Sequence, residues 1–456
     1  MRLEGRVALG LDEFMLRLGH LKILLAILGR THGNRAQIAR RMAEALTEEV
    51  EVPPDELRSV GDYLVRKKLC LVVGHDGSSA ALQSKTRYPG IRVTLDQLAQ
   101  VSGVSWLDKA GAPRIWLQDR YIADPRTRSK VGAVTTDTRE STSKSGVSHL
   151  VDWAVILGIA NNRLGLTAAG TALSTILIQD RGAKLEGPEP NPYVIGSERL
   201  AFAWLLFMVD GDVLVRLIQK VGTVAALGKS EAVQLALEVS SEMRHELKGN
   251  PASASAAGAR AVRDYQRDLG IVRGGSRRER SLSTAWHRVS SRLESLTDLG
   301  LLSKTDANGV SRQYDYFYRP TDLLQRVSRS FGQATGPSEW AAECLVGALV
   351  GPEERRDRLP DPRPALFDAV KLCMGPTGLH IDSYALVAAT LAWMGGTTLS
   401  LADARRRLTD LAIREPDVVR LSRGYSGPRA EFASVQLRKL EQIGANAFQV
   451  DAPPAS

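Results

Sequence analysis

Residues 281–320, SLSTAWHRVSSRLESLTDLGLLSKTDANGVSRQYDYFYRP, change from one periodicity to another within a few positions. Ala285, Trp286, Val289, Leu293, Leu296 and Leu299 recur at helical spacing, which predicts a helix over 283–299. Leu299-Gly300-Leu301-Leu302 then turns the chain into a strand. Asp306–Gly309 is a turn signal, and Arg312–Tyr318 returns as a second strand. The segment is therefore a helix followed by a small hairpin. Its exposed helical positions are expected to include His287, Arg288, Ser291 and Arg292.

Helical stripes with short strand-like pieces between them run along the whole chain. Leu16, Leu21, Leu24, Leu25 and Leu28 form one stripe, and Gly29–Gly33 breaks it. Arg35–Leu46 reads as a second helix. Pro53-Pro54 opens a third, since proline is accepted in a first turn. Leu69–Val73 and Ile91–Val93 read as extended, with a polar, glycine-containing segment between them. Residues 105–123 suggest a small sheet or hairpin, and 124–148 a polar loop or arm. A helix near 150–157 precedes the phrase Leu157-Gly-Ile-Ala-Asn-Asn-Arg-Leu-Gly-Leu-Thr-Ala-Ala-Gly170. Ser197–Leu217 is apolar almost all round, which predicts a buried central helix. Glu231–Leu247 is amphipathic, Asn250–Gly258 a small-residue linker, and residues 340–350 an apolar helix. Four prolines within Gly351–Pro364 mark a connection. Beyond it the chain is again helical, with a strand pair near 418–433.

These breaks divide the 456 residues into five parts: 1–104, 105–186, 187–259, 260–351 and 352–456. The expected fold class is mainly α with small β-wings, built as several such units around a helical middle. With 43% apolar and 24% charged residues the chain has the balance of an ordinary globular protein. Aromatics are 5%, too few for a broad stacking platform for single-stranded nucleic acid. The net charge is +9, and residues 260–329 concentrate it, with 14 Arg/Lys against 8 Asp/Glu. A basic face suits polyphosphate partners. Cys70, Cys344 and Cys373 form no CxxC pair, so neither a disulfide framework nor a structural zinc site is expected. The longest apolar run, Leu200–Val209, is far short of the roughly 20 residues of a membrane helix. The N-terminus carries no secretory pattern, and the expected location is cytoplasmic.

The helix-plus-hairpin of 281–320 resembles the winged helix-turn-helix superfamily. In that superfamily the helix before the wing lies in the DNA major groove and the wing touches backbone or minor groove. The resemblance implies His287, Arg288, Ser291 and Arg292 as groove-facing, and Lys304, Asn308 and Arg312 on the wing. Arg273, Arg277, Arg278 and Arg280, just before the helix, would contact phosphates. Residues 16–93 repeat the layout. There Pro54–Lys68 would be the reading helix, exposing Arg58, Ser59, Arg66 and Lys67, with Lys85 and Arg87 on its wing. Residues 146–174, ending in Leu-Thr-x-x-Gly, echo it. So do 382–440, where the helix Leu401–Ile413 carries Arg405, Arg406 and Arg407. Together the four segments cover roughly half the chain. The arm, with Arg126, Arg128 and Lys130, would order on a phosphate backbone.

These features imply a non-enzymatic protein that binds double-stranded DNA through tandem winged helices and needs no cofactor. A transcription regulator is one such protein. The chain could also pair with itself or with other subunits. A second possibility is a scaffold or DNA-recognition subunit of a larger nucleoprotein or phage-defence-type complex. No phosphate-binding loop and no HxxxH or HxH pattern is present. A third possibility is a nuclease whose carboxylates would be Asp210 and Asp212, the Asp-Gly-Asp beside the apolar run.

Overall fold

The structure, a computed structural model, describes residues 1–11, 18–30, 38, 49–51, 70–75, 79–84, 90–94, 147–179, 194, 198–249, 256–270, 278–306, 316–350, 361–375, 378–423 and 430–449. Over these residues the protein is mainly helical, with small sheets. Buried apolar side chains from Leu3 to Phe448 form one connected core.

Helix α1 (Leu18–Arg30) buries Leu21, Leu24, Leu25 and Leu28, the stripe read from the sequence. Ile38 is helical and buried; the rest of the expected second helix and all of 54–68 lie outside the described residues. Strands β1 (Glu49–Glu51), β2 (Cys70–His75), β3 (Ser79–Ser84) and β4 (Gly90–Thr94) form a sheet in the order β1-β4-β3-β2. β1 runs parallel to β4, and the other pairs are antiparallel. The polar segment expected as a connector thus contains a strand, β3, paired on both sides. Its sequence, Ser-Ala-Ala-Leu-Gln-Ser, is poor in β-branched residues, so its strand state comes from its neighbours rather than from propensity.

Helices α2 (Val147–Ile156) and α3 (Ala168–Gln179) flank the phrase ending in Leu-Thr-x-x-Gly. Thr167 Oγ1 donates to the Gly158 carbonyl at 2.5 Å and accepts the Gly170 amide at 3.1 Å, capping α3. A Cβ at Gly170 would sit 2.1 Å from the Ile159 carbonyl oxygen, so only glycine lets α3 approach the preceding turn. The motif is therefore a packing device.

Helix α4 (Glu198–Val221) is buried on nearly every side, as its apolar sequence predicts, but it kinks at Asp210 (φ −129°, ψ 17°). At its start Glu198 pairs with Lys22 of α1 at 2.6 Å, both side chains fully buried. Helix α5 (Lys229–Gly249) and helix α6 (Ala256–Asp268) lead to α7 (Arg278–Asp298), then to the hairpin of β5 (Leu302–Asp306) and β6 (Tyr316–Pro320). Leu227 bridges to Tyr318 on the other side of β6. Helix α8 (Asp322–Ser330) is capped by Thr321, whose Oγ1 accepts the Leu324 amide at 3.3 Å. The apolar helix expected over 340–350 is two short helices, α9 (Pro337–Glu343) and α10 (Leu345–Leu349), broken at Cys344. Trp340 of α9 packs at a tilt against Phe207 (4.5 Å) and edge-on against Phe331 (4.8 Å), locking α9 onto α4.

The C-terminal part holds helix α11 (Arg363–Cys373), β7 (Met374–Gly375), β8 (Gly378–His380), α12 (Ile381–Met394), α13 (Leu401–Arg414), β9 (Val419–Arg423), β10 (Ala430–Val435) and α14 (Leu437–Ile443). Its sheet order is β7-β8-β10-β9. Helix α12, rich in alanine, is buried from Ser383 to Thr390 and packs against α3, α11 and α13. Cys344 and Cys373 are free thiols, each partly buried. Burial pushes the Cys373 thiol up to about 12. Among the described residues no helix is long and apolar enough to cross a membrane.

Candidate nucleic-acid interface

Like α11, which runs into β7–β8, helices α7 and α13 each lead directly into an antiparallel hairpin. Helices α7 and α13 meet opposite environments.

Helix α7 is enclosed. From Ala285 to Leu299 its side chains are buried or half-buried, and Arg292 is 2% exposed. Arg292 donates to Asp210 through Nε (2.6 Å) and Nη2 (3.0 Å), and to the Ala8 carbonyl through Nη2 (2.8 Å). Its guanidinium also faces the Tyr265 ring at 5.2 Å. Burial pushes the Asp210 carboxyl above its ordinary value, and Arg292 pulls it back. Burial opposes the Arg292 charge too, but Asp210, Tyr265 and Asp268 together outweigh it and hold the guanidinium protonated. The Tyr265 phenol is pushed up to about 12 by burial.

The cover over α7 is the N-terminal segment 1–11. Asp212 Oδ2 accepts the amides of Gly5 and Arg6, both at 2.7 Å, and the Glu4 amide lies 3.1 Å from both oxygens. Asp210 Oδ1 accepts the Ala8 amide at 2.9 Å. Leu3, Ala8 and Leu11 are buried beneath it. Arg288 pairs with Asp268 at 3.1 Å and donates to the Leu11 carbonyl.

The groove-facing expectation for this helix is corrected accordingly. Ser291 is buried and donates to the His287 carbonyl at 3.0 Å. Arg292 is an internal ion pair, and Arg288 holds the segment that covers the helix. His287 is half-buried. The carboxylates assigned to a nuclease are corrected as well. Asp210 and Asp212 are buried, and their oxygens are occupied by Arg292 and by backbone amides. Among the described residues no three His, Cys, Asp or Glu side chains converge as a metal site.

Helix α13 is open on one side. Ser400 caps it, its Oγ accepting the Asp403 amide at 3.0 Å. Leu401, Ala404, Leu408 and Leu411 form the buried stripe. Arg406, Thr409, Ile413 and Arg414 are exposed, with Ile413 at 72%. Arg405 turns back to Asp382 of α12 at 2.5 Å, and Arg406 pairs locally with Asp403. Arg407 and Arg414 reach the Phe448 and Ala447 carbonyls, at 3.4 and 2.9 Å. The following sheet places β10 between β8 and β9, with Phe432 opposite His380 and Ser422. Where β9 and β10 meet α14, a polar recess of about 340 Å³ is lined by Asp417, Val418, Arg420, Ser434, Gln436 and Lys439. Residues 401–443 carry nine Arg/Lys against six Asp/Glu.

Of the other expected contacts, Arg278 and Arg280 fall near the start of α7 and Lys304 in β5. Arg58, Ser59, Arg66, Lys67, Lys85, Arg87, Arg126, Arg128, Lys130, Arg273, Arg277, Asn308 and Arg312 lie outside the described residues. Sequence reasoning missed the exposed arginines of α6, although Val262, Tyr265 and Leu269 at helical spacing mark its buried face.

Compared with known proteins, the chain matches no family model, no curated protein and no solved structure.

Proposed function

We propose that this protein binds double-stranded DNA and that its C-terminal unit makes the groove contact. The observation that carries the reading is the exposed outer face of α13, with Arg406 and Thr409, on a helix that runs directly into the β9–β10 hairpin. An α-helix of this kind fits the B-DNA major groove, where arginine reads base edges bidentately. The β9–β10 strand pair would act as the wing. In this reading the chain resembles the winged helix-turn-helix superfamily.

The test is a salt series of binding to random duplex DNA, single-stranded DNA and duplex RNA by fluorescence anisotropy. Preference for duplex DNA with a steep fall in affinity as salt rises is the expected result. No binding to any of the three at low salt overturns the reading.

One observation favours a second reading, a scaffold subunit of a nucleoprotein assembly. Arg288 and Arg292 of α7 are spent inside the molecule, on Asp210, Asp268 and the carbonyls of Ala8 and Leu11. A helix-plus-hairpin unit can thus serve the fold alone. Absence of DNA binding, together with stable assembly with purified products of neighbouring genes, would favour it.

A further inference from the structure

Helix α6 is amphipathic. Gly258, Val262, Tyr265 and Leu269 face inward, toward α5 and α7. Arg260, Arg263 and Arg267 are exposed on the opposite side, and the Arg260 and Arg267 side chains are each 81% exposed. Asp264 lies between them, 3.6 Å from Arg260 and 3.2 Å from Arg267. Pairs this exposed add little to stability. They do hold the two outer guanidinium groups along the helix axis, and the face keeps a net positive charge. Helix α5, which packs against α6, ends in exposed Arg244, His245 and Lys248.

We infer that the arginine face of α6 is a second DNA contact, one that grips the phosphate backbone and reads no bases. The inference rests on the DNA-binding reading above and extends it to a helix outside the helix-plus-hairpin units of α7 and α13. From Arg260 to Arg267 the helix rises about 10 Å. That span matches roughly three base-pair steps along one strand. The three positions lie within one side of the helix, so they address a single backbone rather than a groove floor. Charge complementarity selects a polyanion as occupant. An anionic membrane is the less fitting one: three arginines would adsorb to it at only about 1 kcal/mol each, and a helix that anchors there also inserts its apolar face. Here that face, Val262, Tyr265 and Leu269, is already buried in the protein.

The experiment compares the full chain with R260A/R263A/R267A and, separately, with Arg406→Ala. Each binds several unrelated duplexes across a salt series, and anionic phosphatidylserine vesicles are run in parallel. The triple variant should melt like the wild type, since all three side chains are exposed. Its affinity should fall about equally on every duplex, and the slope of log affinity against log salt should flatten by about 2–3. Arg406→Ala should instead change affinity unequally among the duplexes. If the wild type binds duplex DNA and the triple variant keeps its affinity and slope, the second contact is wrong while the DNA reading stands. If the wild type binds vesicles through these arginines and ignores duplex DNA, or binds neither, both are wrong.

Discussion

Helices α7 and α13 are written in much the same way. Each has an apolar stripe at helical spacing, each carries arginines between those positions, and each runs into an antiparallel hairpin. In α7 the polar positions are closed over by residues 1–11 and by the kink of α4, so Arg292 lies 2% exposed against Asp210. In α13 the corresponding side stays open, and Arg406 is 68% exposed. What separates the helices is not their own charge but what the remainder of the chain lays over them. An arginine can satisfy a buried carboxylate as readily as a phosphate, because each presents a pair of anionic oxygens spaced to accept two bonds from its fork. Helix, hairpin and positive charge together therefore do not distinguish a reading helix from a core helix.

The comparison can be broken most sharply at Arg292. Arg292→Ala leaves the Asp210 carboxylate buried without its partner, and it should destabilise the protein by about 3–5 kcal/mol in chemical denaturation. Arg406→Ala, at an exposed position, should change stability by less than about 0.5 kcal/mol. Equal losses in the two variants would dissolve the distinction between the helices.

The cover over α7 is the next point of attack. Asp212→Ala removes the acceptor for the Glu4, Gly5 and Arg6 amides and should cost about 1–3 kcal/mol. Amide exchange at those three residues should speed up while exchange in α13 stays as it was. Unchanged exchange would mean that the apolar contacts of Leu3, Ala8 and Leu11 hold the segment unaided. On the open helix, Arg406→Ala should lower affinity for a preferred duplex by about 1–3 kcal/mol if that side chain reads a base. An unchanged affinity across duplexes would remove α13 from the groove.

The smallest expected effect concerns pH. Burial raises the Asp212 carboxyl above its ordinary value of 3.8, against the pull of the backbone amides and Arg216. The folded protein then holds this proton more tightly than the unfolded chain does. Stability from this group rises as pH falls through its folded-state value and levels off below the unfolded one. Asp212→Asn cannot take up that proton. Melting temperatures of wild type and Asp212→Asn should therefore shift in favour of the wild type on acidification from neutral pH. A shift in the opposite sense would mean that the amides and Arg216 outweigh burial at this carboxyl.

Much of the helical layout was legible in the sequence because apolar periodicity reports burial directly. The stripes of α1, α4, α5 and α13 and the hairpins at β5–β6 and β9–β10 were all placed this way. The environment of α7 was not legible. Arg292 meets Asp210, 82 positions away, and Ala8, 284 positions away, and neither contact leaves a local pattern. Asp210 and Asp212 looked like a carboxylate pair because spacing does not reveal that amides of the N-terminal segment fill one of them. The arginine face of α6 was hidden by its neighbourhood. A small-residue linker precedes it, and the arginines at 273–280 drew the positive charge of the region to themselves. The contacts expected within 54–68 and 124–148 lie outside the described residues.

The proposal to be decided is that α13 meets DNA and α7 does not. It is tested most directly by mapping arginine reactivity with a guanidinium-directed reagent, with and without bound duplex, in the full chain. Arg406 should react in the free protein and be protected by DNA, while Arg292 stays unreactive in both states. If Arg406 reacts equally with and without bound duplex, or if Arg292 becomes reactive in the free protein and is protected on binding, the account is contradicted.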